Sequence, residues 1–391
     1  MIPTDEQIMV RDMARAYAAE QIAPFAAQWE ETAHFPRDVF TAMGKLGLMG
    51  MTVPTEWGGA GLDYVTYAIA LEEIARGDGA VAIVMSGHNS VGCMPLLEYG
   101  TPGQKERYLR RLAQGELLSA FALTEAKGGS DAGALTTRAV KSGDGGYVIN
   151  GGKQFITTGK NADLCVVFAV TDPSAGKRGI SAFLVPTDTP GYEVVRVEKK
   201  MGQNASDTAQ LAFNDMAVPG DALLGAEGQG YRIALGNLEG GRIGIAAQAL
   251  GMAQAAYEAA LAYAQERQAF GKPIFEHQAV AFRLADMATQ LEAARQLIWH
   301  AAALRSAGRK CLKEASMAKL FATDMAEAVC SDAMQTLGGY GYLQDFPIER
   351  IYRGVRGARI YEGTNDIQKL VMRYSGEMGF KPVSSTNTKR R

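Results

Sequence analysis

The sequence has 391 residues, of which 47% are hydrophobic and 21% are charged, as expected for a globular protein of two or three domains. Its formal net charge of -2 offers no basic surface for nucleic acid, which disfavours a nucleic-acid-binding protein. The four cysteines lie far apart without a C-x-x-C pair, which argues against both a disulfide framework and a zinc site.

The first part of the chain, residues 1–118, has the composition of helices: it is rich in alanine, with few runs of β-branched residues. Breakers at Pro24, Pro36, Pro54–Gly61 and Gly100–Pro102 divide it, so we predict an antiparallel helical domain. No basic segment precedes a long apolar run, and no run of 18 apolar residues occurs. The sequence therefore predicts neither a secretory signal nor a membrane span. We expect a cytoplasmic location.

The middle part, residues 119–229, changes to short segments rich in β-branched and aromatic residues. Tyr147–Ile149 reads as a strand that enters a tight turn at Asn150-Gly151-Gly152. Further strands are predicted at Leu164–Val170, Ile180–Val185, Glu193–Val197 and Gln210–Phe213. Short strands without helices between them predict a small antiparallel β-barrel or sandwich.

The last part, residues 230–380, returns to helical composition, with a tail at 381–391 that we expect to be flexible. Helices are predicted at roughly 230–265, 275–308, 313–337 and 364–378, which fits a four-helix bundle and makes the whole chain an α+β multidomain protein. Two apolar stripes support the second and third helices. They consist of Leu284, Met287, Leu291, Ala294, Ile298 and Ala301, and of Met317, Leu320, Phe321, Met325, Ala328 and Val329.

A candidate catalytic residue lies in the stretch Ile360–Gln368, immediately before the last predicted helix. Glu362 stands between an aromatic residue and Gly363, and Thr364 can cap the helix that follows. A carboxylate in such a half-apolar turn is a candidate general base, because desolvation raises its pKa toward the working pH. The alternative is a glutamate that only complements the helix dipole, and Asp366 is a further polar candidate.

Three other segments carry residues suited to a flat heterocycle with phosphates. Phe121–Asp131 combines small residues with the hydroxyls of Thr124 and Ser130, although it could be a flexible connector. Phe155 and Thr157 offer a ring and a hydroxyl on one side of a strand. The alternative is a phenylalanine in the core beside an exposed threonine. A polar break contains Arg267, Phe270, Gly271, His277 and Gln278, whose arginine can neutralise a pyrophosphate, although an ordinary interhelical loop would also be polar.

The stretch Tyr361-Glu362-Gly363-Thr364, followed by Ile367-Gln368, resembles the catalytic-base signature of the acyl-CoA dehydrogenase family. The helical, β, helical order of the chain resembles the family's arrangement, so the resemblance extends from about Thr4 to Tyr374. Gly179–Pro186 and Gly241–Ala246 are most similar to the short-chain and short-branched-chain members.

This resemblance implies sites for FAD and acyl-CoA. The family's FAD contacts correspond to Phe121, Leu123, Thr124, Gly129, Ser130, Phe155, Ile156, Thr157, Arg267, Phe270, Gln278, Gln335, Gly338, Gly339, Thr364 and Asp366. Its substrate contacts correspond to Ser130, Glu239, Arg242, Tyr361 and Gly363. The elements around Arg267 and Gln335 bind the FAD of a neighbouring subunit in the family, which implies an oligomer, with a homotetramer as the expectation. The chain departs from the family at Phe155, where tryptophan is usual, and at Lys127.

The implied reaction is the FAD-dependent α,β-dehydrogenation of a short-chain or short-branched-chain acyl-CoA to the trans-2-enoyl-CoA. Glu362 would remove the α-proton, and electrons would pass to electron-transfer flavoprotein. Some relatives carry the base at the position of Gly241, which cannot act as one here. The segment Ile83–Ser90 is expected to line the acyl end of the pocket. The alternatives are an acyl-CoA oxidase of the same fold and a non-enzymatic flavoprotein that binds nucleic acid.

Overall fold

A computed structural model describes residues 2–374. The first region contains only helices and ends near residue 113, before the first strand. These helices are α1 (Asp5–Tyr17), α2 (Ala26–Thr32), α3 (Arg37–Lys45), α4 (Tyr64–Gly77), α5 (Gly79–Gly87), α6 (Met94–Tyr99), α7 (Pro102–Gln104) and α8 (Arg110–Ala113). Single π-helical turns at Ala18–Ile22, His88–Cys93 and Lys105–Leu109 join some of them. The predicted helical character of this region is confirmed.

Side-chain caps fix where the central helices of this region begin. Asp63 accepts a hydrogen bond from the Thr66 N–H at the start of α4. Asp78 accepts from the N–H groups of Ala80 and Val81 at the start of α5. Each cap satisfies N–H groups that a helix leaves unpaired at its first turn, and the extended backbone of Asp78 separates α4 from α5.

The middle region forms one eight-stranded sheet. Its strands are β1 (Ser119–Ala122), β2 (Arg138–Lys141), β3 (Tyr147–Thr157), β4 (Leu164–Val170), β5 (Ile180–Pro186), β6 (Tyr192–Val197), β7 (Thr208–Val218) and β8 (Leu223–Leu224). The order is β6-β7-β3-β2-β4-β5-β8, with β1 beside β4. The antiparallel prediction is correct for most pairs, but β1 and β2 each pair in parallel with β4, so the sheet is mixed.

The predicted turn at Asn150-Gly151-Gly152 is wrong, because β3 runs through it. Gly151 and Gly152 pair with Phe213 and Ala212 of β7, and a register shift after Ile149 takes up the irregular backbone. Gly151 has φ +149°, which a strand bulge accommodates as readily as a turn does. The short strands β1 and β2 were not predicted, since neither has a distinctive β-branched run.

The C-terminal region contains the predicted bundle and additional helices. They are α9 (Gly230–Gly236), α10 (Leu238–Glu266), α11 (Gln278–Ser306), α12 (Leu312–Leu337), α13 (Pro347–Ala358) and α14 (Asn365–Tyr374), with a two-stranded ribbon of β9 (Gln268–Ala269) and β10 (Lys272–Pro273) between α10 and α11. The first predicted helix is divided at Asn237. Helix α13 was missed, although its buried residues Ile348, Ile351, Val355 and Ala358 have helical spacing. Residues 375–380 of the last predicted helix, and the tail at 381–391, lie outside the described part.

The predicted apolar stripe of α11 is confirmed, because all six of its residues are buried. The stripe predicted for α12 is largely wrong: Met325 and Val329 are buried, but Phe321 is 37% exposed. The buried face of α12 consists mainly of small residues, Ala315, Ala318, Ala322, Ala326 and Ala333. Helix α12 packs closely on α10, whose buried face is also rich in alanine. The buried face of α12 therefore consists of small residues that let the two backbones approach closely, and not of the large residues that the sequence spacing favoured.

One segment, Gly79–Tyr99, is apolar and long enough to cross a membrane by composition alone. In the structure 83% of its most apolar window is buried inside the protein. The segment contains α5, a π-helical turn and α6, and it packs against α4 and α10. It is therefore a core segment, which explains its composition.

The four cysteines are unpaired and buried.

A buried ion pair joins the loop after β1 to strand β3. The Lys153 ammonium lies 3.0 Å from Glu125 Oε1, with side chains 0% and 4% exposed. Burial alone would raise the pKa of Glu125, but Lys153 and the hydrogen bonds from Thr136 and Thr137 outweigh burial and lower this pKa to about 2. Lys153 also donates to the Leu123 carbonyl, so the loop is held on both sides.

We predict that Glu125→Gln lowers the free energy of unfolding by about 3–5 kcal/mol, because it leaves the Lys153 charge buried without a partner. Chemical denaturation followed by circular dichroism measures this. The control is Lys141→Ala, in an ion pair whose lysine is 69% exposed, where a change below about 1 kcal/mol is expected. Because the Glu125 pKa is lowered on folding, its contribution is complete above the unfolded value of about 4.3 and is lost as pH falls through about 2. Equal effects of the two variants would contradict the prediction.

Candidate active site

Glu362 lies in a tight turn between α13 and α14. Its backbone has φ +57° and Gly363 has φ +85°, so two consecutive residues adopt the left-handed conformation. For a residue other than glycine this conformation costs roughly 1–2 kcal/mol. Thr364 accepts a hydrogen bond from the Ile367 N–H at 3.3 Å, which caps α14 as the sequence predicts. The turn therefore holds Glu362 in a left-handed conformation at an energetic cost.

The Glu362 carboxylate is buried, and its Oε1 has no hydrogen-bond partner among residues 2–374. Burial raises the pKa of this carboxyl, and the positive charges of Arg242 and Lys319 partly oppose the rise. A desolvated carboxylate with an open lone pair is the state required of a general base. Thr364 rather than Glu362 caps α14, and Glu362 Oε1 accepts no hydrogen bond from the first turn of that helix.

The space for this carboxylate is created by a glycine on α10. A Cβ atom at Gly241 would lie 1.8 Å from Glu362 Oε1, which is far inside any real contact. Three residues further along the helix, a Cβ at Gly244 would lie 2.2 Å from the Ser86 hydroxyl and 2.7 Å from that of Tyr67. These two glycines lie on one side of α10, so that side is shaped to receive a carboxylate and two hydroxyls.

The two other predicted polar residues at the start of α10 occupy different surroundings. Arg242 is buried and donates weakly to the Ser316 hydroxyl at 3.3 Å, and its Nε has no partner among the described residues. Burial lowers the pKa of Arg242, while Glu362 and Glu239 raise it. Glu239 accepts a hydrogen bond from Arg305 at 3.1 Å. Arg242 therefore lies with Glu362, whereas Glu239 is engaged by a neighbouring arginine.

Tyr361 was predicted as a substrate contact, and the structure places its hydroxyl in a buried network. That hydroxyl donates to the Gln248 side chain at 3.1 Å and accepts from Gln203 at 2.9 Å. Gln203 also donates to the Gly354 carbonyl, and Gln248 donates to that of Gly79. The network joins the β-sheet region to α10 and α13, so the phenol fixes the residue that precedes the base.

The two segments predicted to hold a flat ring are brought together by the sheet. The Gln154 N–H donates to the Thr124 carbonyl at 2.9 Å, immediately beside Phe155 and Thr157. Two residues of β3, Gln154 and Phe155, oppose one residue of β7, which makes a β-bulge. Phe155 has φ +59° and its side chain is 63% exposed. A bulge thus holds an aromatic ring outside the core, beside the Thr157 hydroxyl.

The other predicted residues of these segments differ in exposure. Phe121 packs its ring against Phe168, with centroids 4.8 Å apart, so this ring belongs partly to the core. Leu123 is 9% exposed and Ile156 is 2% exposed, whereas Gly129 and Ser130 are exposed. Lys127, where the chain departs from the family, is exposed. Backbone groups and hydroxyls, rather than apolar side chains, are therefore available along the 124–130 loop.

A separate groove of about 550 Å³ lies at the far end of the bundle. Four of the predicted cofactor residues line it, namely Arg267, Gln335, Gly338 and Gly339. The Arg267 guanidinium lies 5.7 Å from the centre of the Tyr340 ring. These residues come from α10 and the end of α12, so the structure brings together two segments that are distant in sequence.

Three further predicted residues are largely exposed in this chain. Phe270 is 96% exposed at φ +53° in the turn between β9 and β10, and Gln278 is exposed at the start of α11. Asp366 is paired with Lys369 on the surface of α14. The Phe270 ring meets the His277 ring edge-on, with centroids 5.9 Å apart, and is otherwise almost fully exposed.

A larger groove of about 940 Å³ between α2 and the sheet contains none of the predicted site residues. It is lined by charges of both signs, including Glu30, Glu198, Lys160 and Lys200. No group of three or more histidine, cysteine, aspartate or glutamate side chains in residues 2–374 is arranged to hold a metal ion.

Sequence reasoning missed two buried residues near the Glu362 turn: Lys319, which donates to the Gly363 carbonyl, and Tyr67. The Tyr67 hydroxyl lies 3.3 Å from that of Ser86, and the Glu362 charge contributes to raising its pKa. Lys319 follows Ala315 by four residues and precedes Ala322 by three, so it lies on the buried face of α12. A lysine at helical spacing within a buried alanine stripe is the signal that could have identified it.

Comparison with known proteins agrees with this geometry over almost the whole chain. The acyl-CoA dehydrogenase N-terminal, middle and C-terminal domain families match residues 4–116, 120–216 and 228–375. The chain is 51% identical to an acyl-CoA dehydrogenase of Bacillus subtilis, over 94% of this chain and 97% of that protein. It is 48% identical to the mitochondrial short-chain specific acyl-CoA dehydrogenase of Bos taurus, over 93% and 88%.

Solved structures give the same result. The butyryl-CoA dehydrogenase of Megasphaera elsdenii is similar with a TM-score of 0.93 and 40% identity, over 95% of this chain and 98% of that chain. A chain in a structure of the electron transferring flavoprotein of Acidaminococcus fermentans has a TM-score of 0.93 and 45% identity, over 95% and 98%. The three matched domain families and the relatives named dehydrogenases make the chain an oxidoreductase of three domains. The chain belongs to the acyl-CoA dehydrogenase family.

We predict that Gly241→Ala abolishes most of the activity without unfolding the protein. The added Cβ would occupy the position of Glu362 Oε1, so the carboxylate must move by more than 1 Å, and such a displacement can cost on the order of 10²-fold in rate. Gly103→Ala is the control, because a Cβ there meets nothing within 4 Å. Turnover and thermal unfolding of both variants decide the matter, and a Gly241→Ala enzyme of normal activity would disprove the placement of Glu362.

Proposed function

We propose that the protein binds FAD between the sheet and the bundle and desaturates a short acyl-CoA with Glu362 as the base. The observation that carries the proposal is the buried Glu362 Oε1, which lacks a partner among the described residues and lies against Gly241. The structure offers a ring site to match. Phe155 is held outside the core by the β3 bulge, and Thr157 and the backbone of the 124–130 loop lie beside it.

The residues present suit a flavin. Phe155 would cover one face of the ring, the Thr157 hydroxyl would bond its edge, and Arg267 with the groove at Gln335, contributed by a neighbouring copy of the chain, would meet the phosphate and adenine portions. FAD, when bound, supplies the hydride acceptor for the β-hydrogen of the substrate. Glu362 takes the proton from the α-carbon, and Arg242 provides positive charge beside the resulting enolate-like anion. The buried surroundings exclude water, which keeps the carboxylate basic.

We predict that Glu362→Gln keeps acyl-CoA binding and the yellow colour but reduces the flavin about 10² to 10⁴ times more slowly, the usual contribution of a general base. Anaerobic bleaching in a stopped-flow instrument measures this. In the wild type the rate should rise with pH through a midpoint above the ordinary glutamate pKa of about 4.3, because burial raises the pKa of Glu362 and only the ionised form accepts a proton. Bleaching of the variant at the wild-type rate would remove Glu362 from the mechanism.

The acyl group is proposed to lie along α5. Val84, Met85 and Ser86 are buried, whereas Ile83 and Gly87, four residues apart, are only partly covered. A Cβ at Gly87 would meet nothing within 4 Å, so open space adjoins this face of the helix. The contact between Ser86 and Tyr67 fills the neighbouring side. A pocket bounded in this way suits a short or branched acyl group, and the relatives named short-chain specific support the proposal.

We predict a higher kcat/KM for butyryl-, isobutyryl- or 2-methylbutyryl-CoA than for octanoyl-CoA. Each methylene buried in apolar surroundings gains about 0.8 kcal/mol, but forcing it into a closed pocket costs about 1 to 3 kcal/mol. Assays with an artificial electron acceptor compare the four substrates. Gly87→Leu, which fills the open space, should strengthen the preference for four carbons. A preference for octanoyl-CoA would disprove short-chain specificity while leaving the family membership intact.

Assembly and electron transfer are part of the same proposal. The exposed Phe270 and the groove at Arg267 and Gln335 lie on the bundle surface, where a second copy of the chain would complete an FAD site in a homotetramer. We expect Arg267→Ala to lower FAD retention during gel filtration, and a fully yellow monomer would contradict this expectation.

We further propose a cytoplasmic location. We also propose electron-transfer flavoprotein as the electron acceptor, which the similarity to a chain in a flavoprotein structure supports.

A further inference from the structure

A buried lysine contacts the turn that carries the catalytic carboxylate. Lys319 of α12 is 0% exposed, and its ammonium donates to the Gly363 carbonyl and to Asn365 Oδ1, both at 2.9 Å. No carboxylate of residues 2–374 lies within the 4.0 Å of an ion pair with it. Burying an ammonium without a salt bridge is costly, so its two oxygen acceptors must offset that cost.

The two acceptors of Lys319 form further hydrogen bonds on the same side of the turn. The Gly363 carbonyl also accepts from Gln368 Nε2 at 2.8 Å, and the same amide lies 3.2 Å from the Glu362 carbonyl. Asn365 is itself held by Thr323 and Asp324. The left-handed conformation of Glu362 persists only where its surroundings over-determine it. Lys319 and Gln368 supply these constraints from two different helices.

The other side of the turn is open. The Glu362 N–H has no backbone acceptor, and its Oε1 has no partner, anywhere in the described part of the chain. We propose that Lys319 is a positioning residue: by fixing the Gly363 carbonyl it holds the left-handed turn, keeps the Glu362 carboxylate against Gly241, and leaves the Glu362 N–H for the thioester oxygen. This inference rests on the proposed function, since that N–H and that carboxylate are the groups acting on the α-proton.

Lys319 also acts on the charge of the base. Together with Arg242 it opposes the rise in the Glu362 pKa that burial causes. Burial lowers the pKa of Lys319 itself to about 7, with Glu362 raising it and Arg242 lowering it. The remaining groups that face the pair are Asp324, Arg359 and Tyr67. Removal of the lysine charge should therefore raise the pKa of Glu362.

Exchange of the substrate α-proton with solvent tests the inference apart from the redox step. The FAD-containing enzyme is incubated in D₂O with a 3-thia-acyl-CoA, which resists β-oxidation by the flavin, and deuterium at the α-carbon is followed by mass spectrometry. Three variants are compared: Lys319→Met, Gln368→Leu and the control Lys369→Met. The control removes a lysine of α14 that is 62% exposed and pairs only with Asp366 among the ion pairs of the described residues.

We expect Lys319→Met and Gln368→Leu to slow exchange at saturating ligand on the order of 10²-fold with little change in ligand affinity, as for a misplaced catalytic group. Only Lys319→Met should move the midpoint of the exchange rate to higher pH, because only it removes a cation near the base. Lys369→Met should match the wild type.

Three outcomes would overturn the inference: wild-type exchange in Lys319→Met, an equal slowing in Lys369→Met, or an unchanged pH midpoint in Lys319→Met. If Lys319→Met does not fold by circular dichroism, wild-type exchange in Gln368→Leu overturns it instead. Failure of the proposed function is a separate result, because the wild-type enzyme itself would then exchange no α-proton with any acyl-CoA ligand tested.

Discussion

The close contact between the Glu362 carboxylate and the bare backbone of Gly241 is the constraint on which the active site depends. The carboxylate can be buried there only because residue 241 has no side chain. It can reach α10 only because the turn before α14 adopts two left-handed residues. Both conditions oppose the ordinary preferences of a polypeptide, so packing of α10, α12, α13 and α14 must supply the compensating free energy.

The packing of the bundle is suited to this task. Helices α10 and α12 meet through alanine-rich faces, which lets their backbones approach closely and leaves few large side chains to rearrange. Among the buried polar residues of these helices, Arg242, Ser316 and Lys319 lie near the Glu362 turn, and Gln368 contacts the same turn from α14. An apolar interface with one polar cluster fixes a single position for the carboxylate and raises its proton affinity by desolvation.

The proposed flavin side is built by a different principle. There a bulge in the sheet places Phe155 outside the core. The buried ion pair of Lys153 and Glu125 holds the preceding loop against the same strand. A strand that kept the alternation set by the buried Lys153 would have buried Phe155 and exposed Gln154 and Ile156. At the bulge Lys153 and Gln154 are both buried, which leaves Phe155 exposed between two buried neighbours. In the proposed reaction the helical region supplies the base and the sheet supplies the ring site, so that reaction requires these regions to pack in one arrangement.

The sequence by itself determined the order of a helical, a β and a helical region, the stripe of α11, and the candidate base with its glycine and threonine neighbours, because periodicity and turn chemistry are local properties. It did not reveal the parallel pairing of β1, the course of β3 through Asn150–Gly152 or the alanine face of α12. Those features depend on partners distant in the chain. Only the tertiary structure decided that Gly241 makes room for Glu362 and that Lys319 holds its turn. The physical reason is that burial, close approach and desolvation arise between segments more than 40 residues apart, which no local pattern encodes.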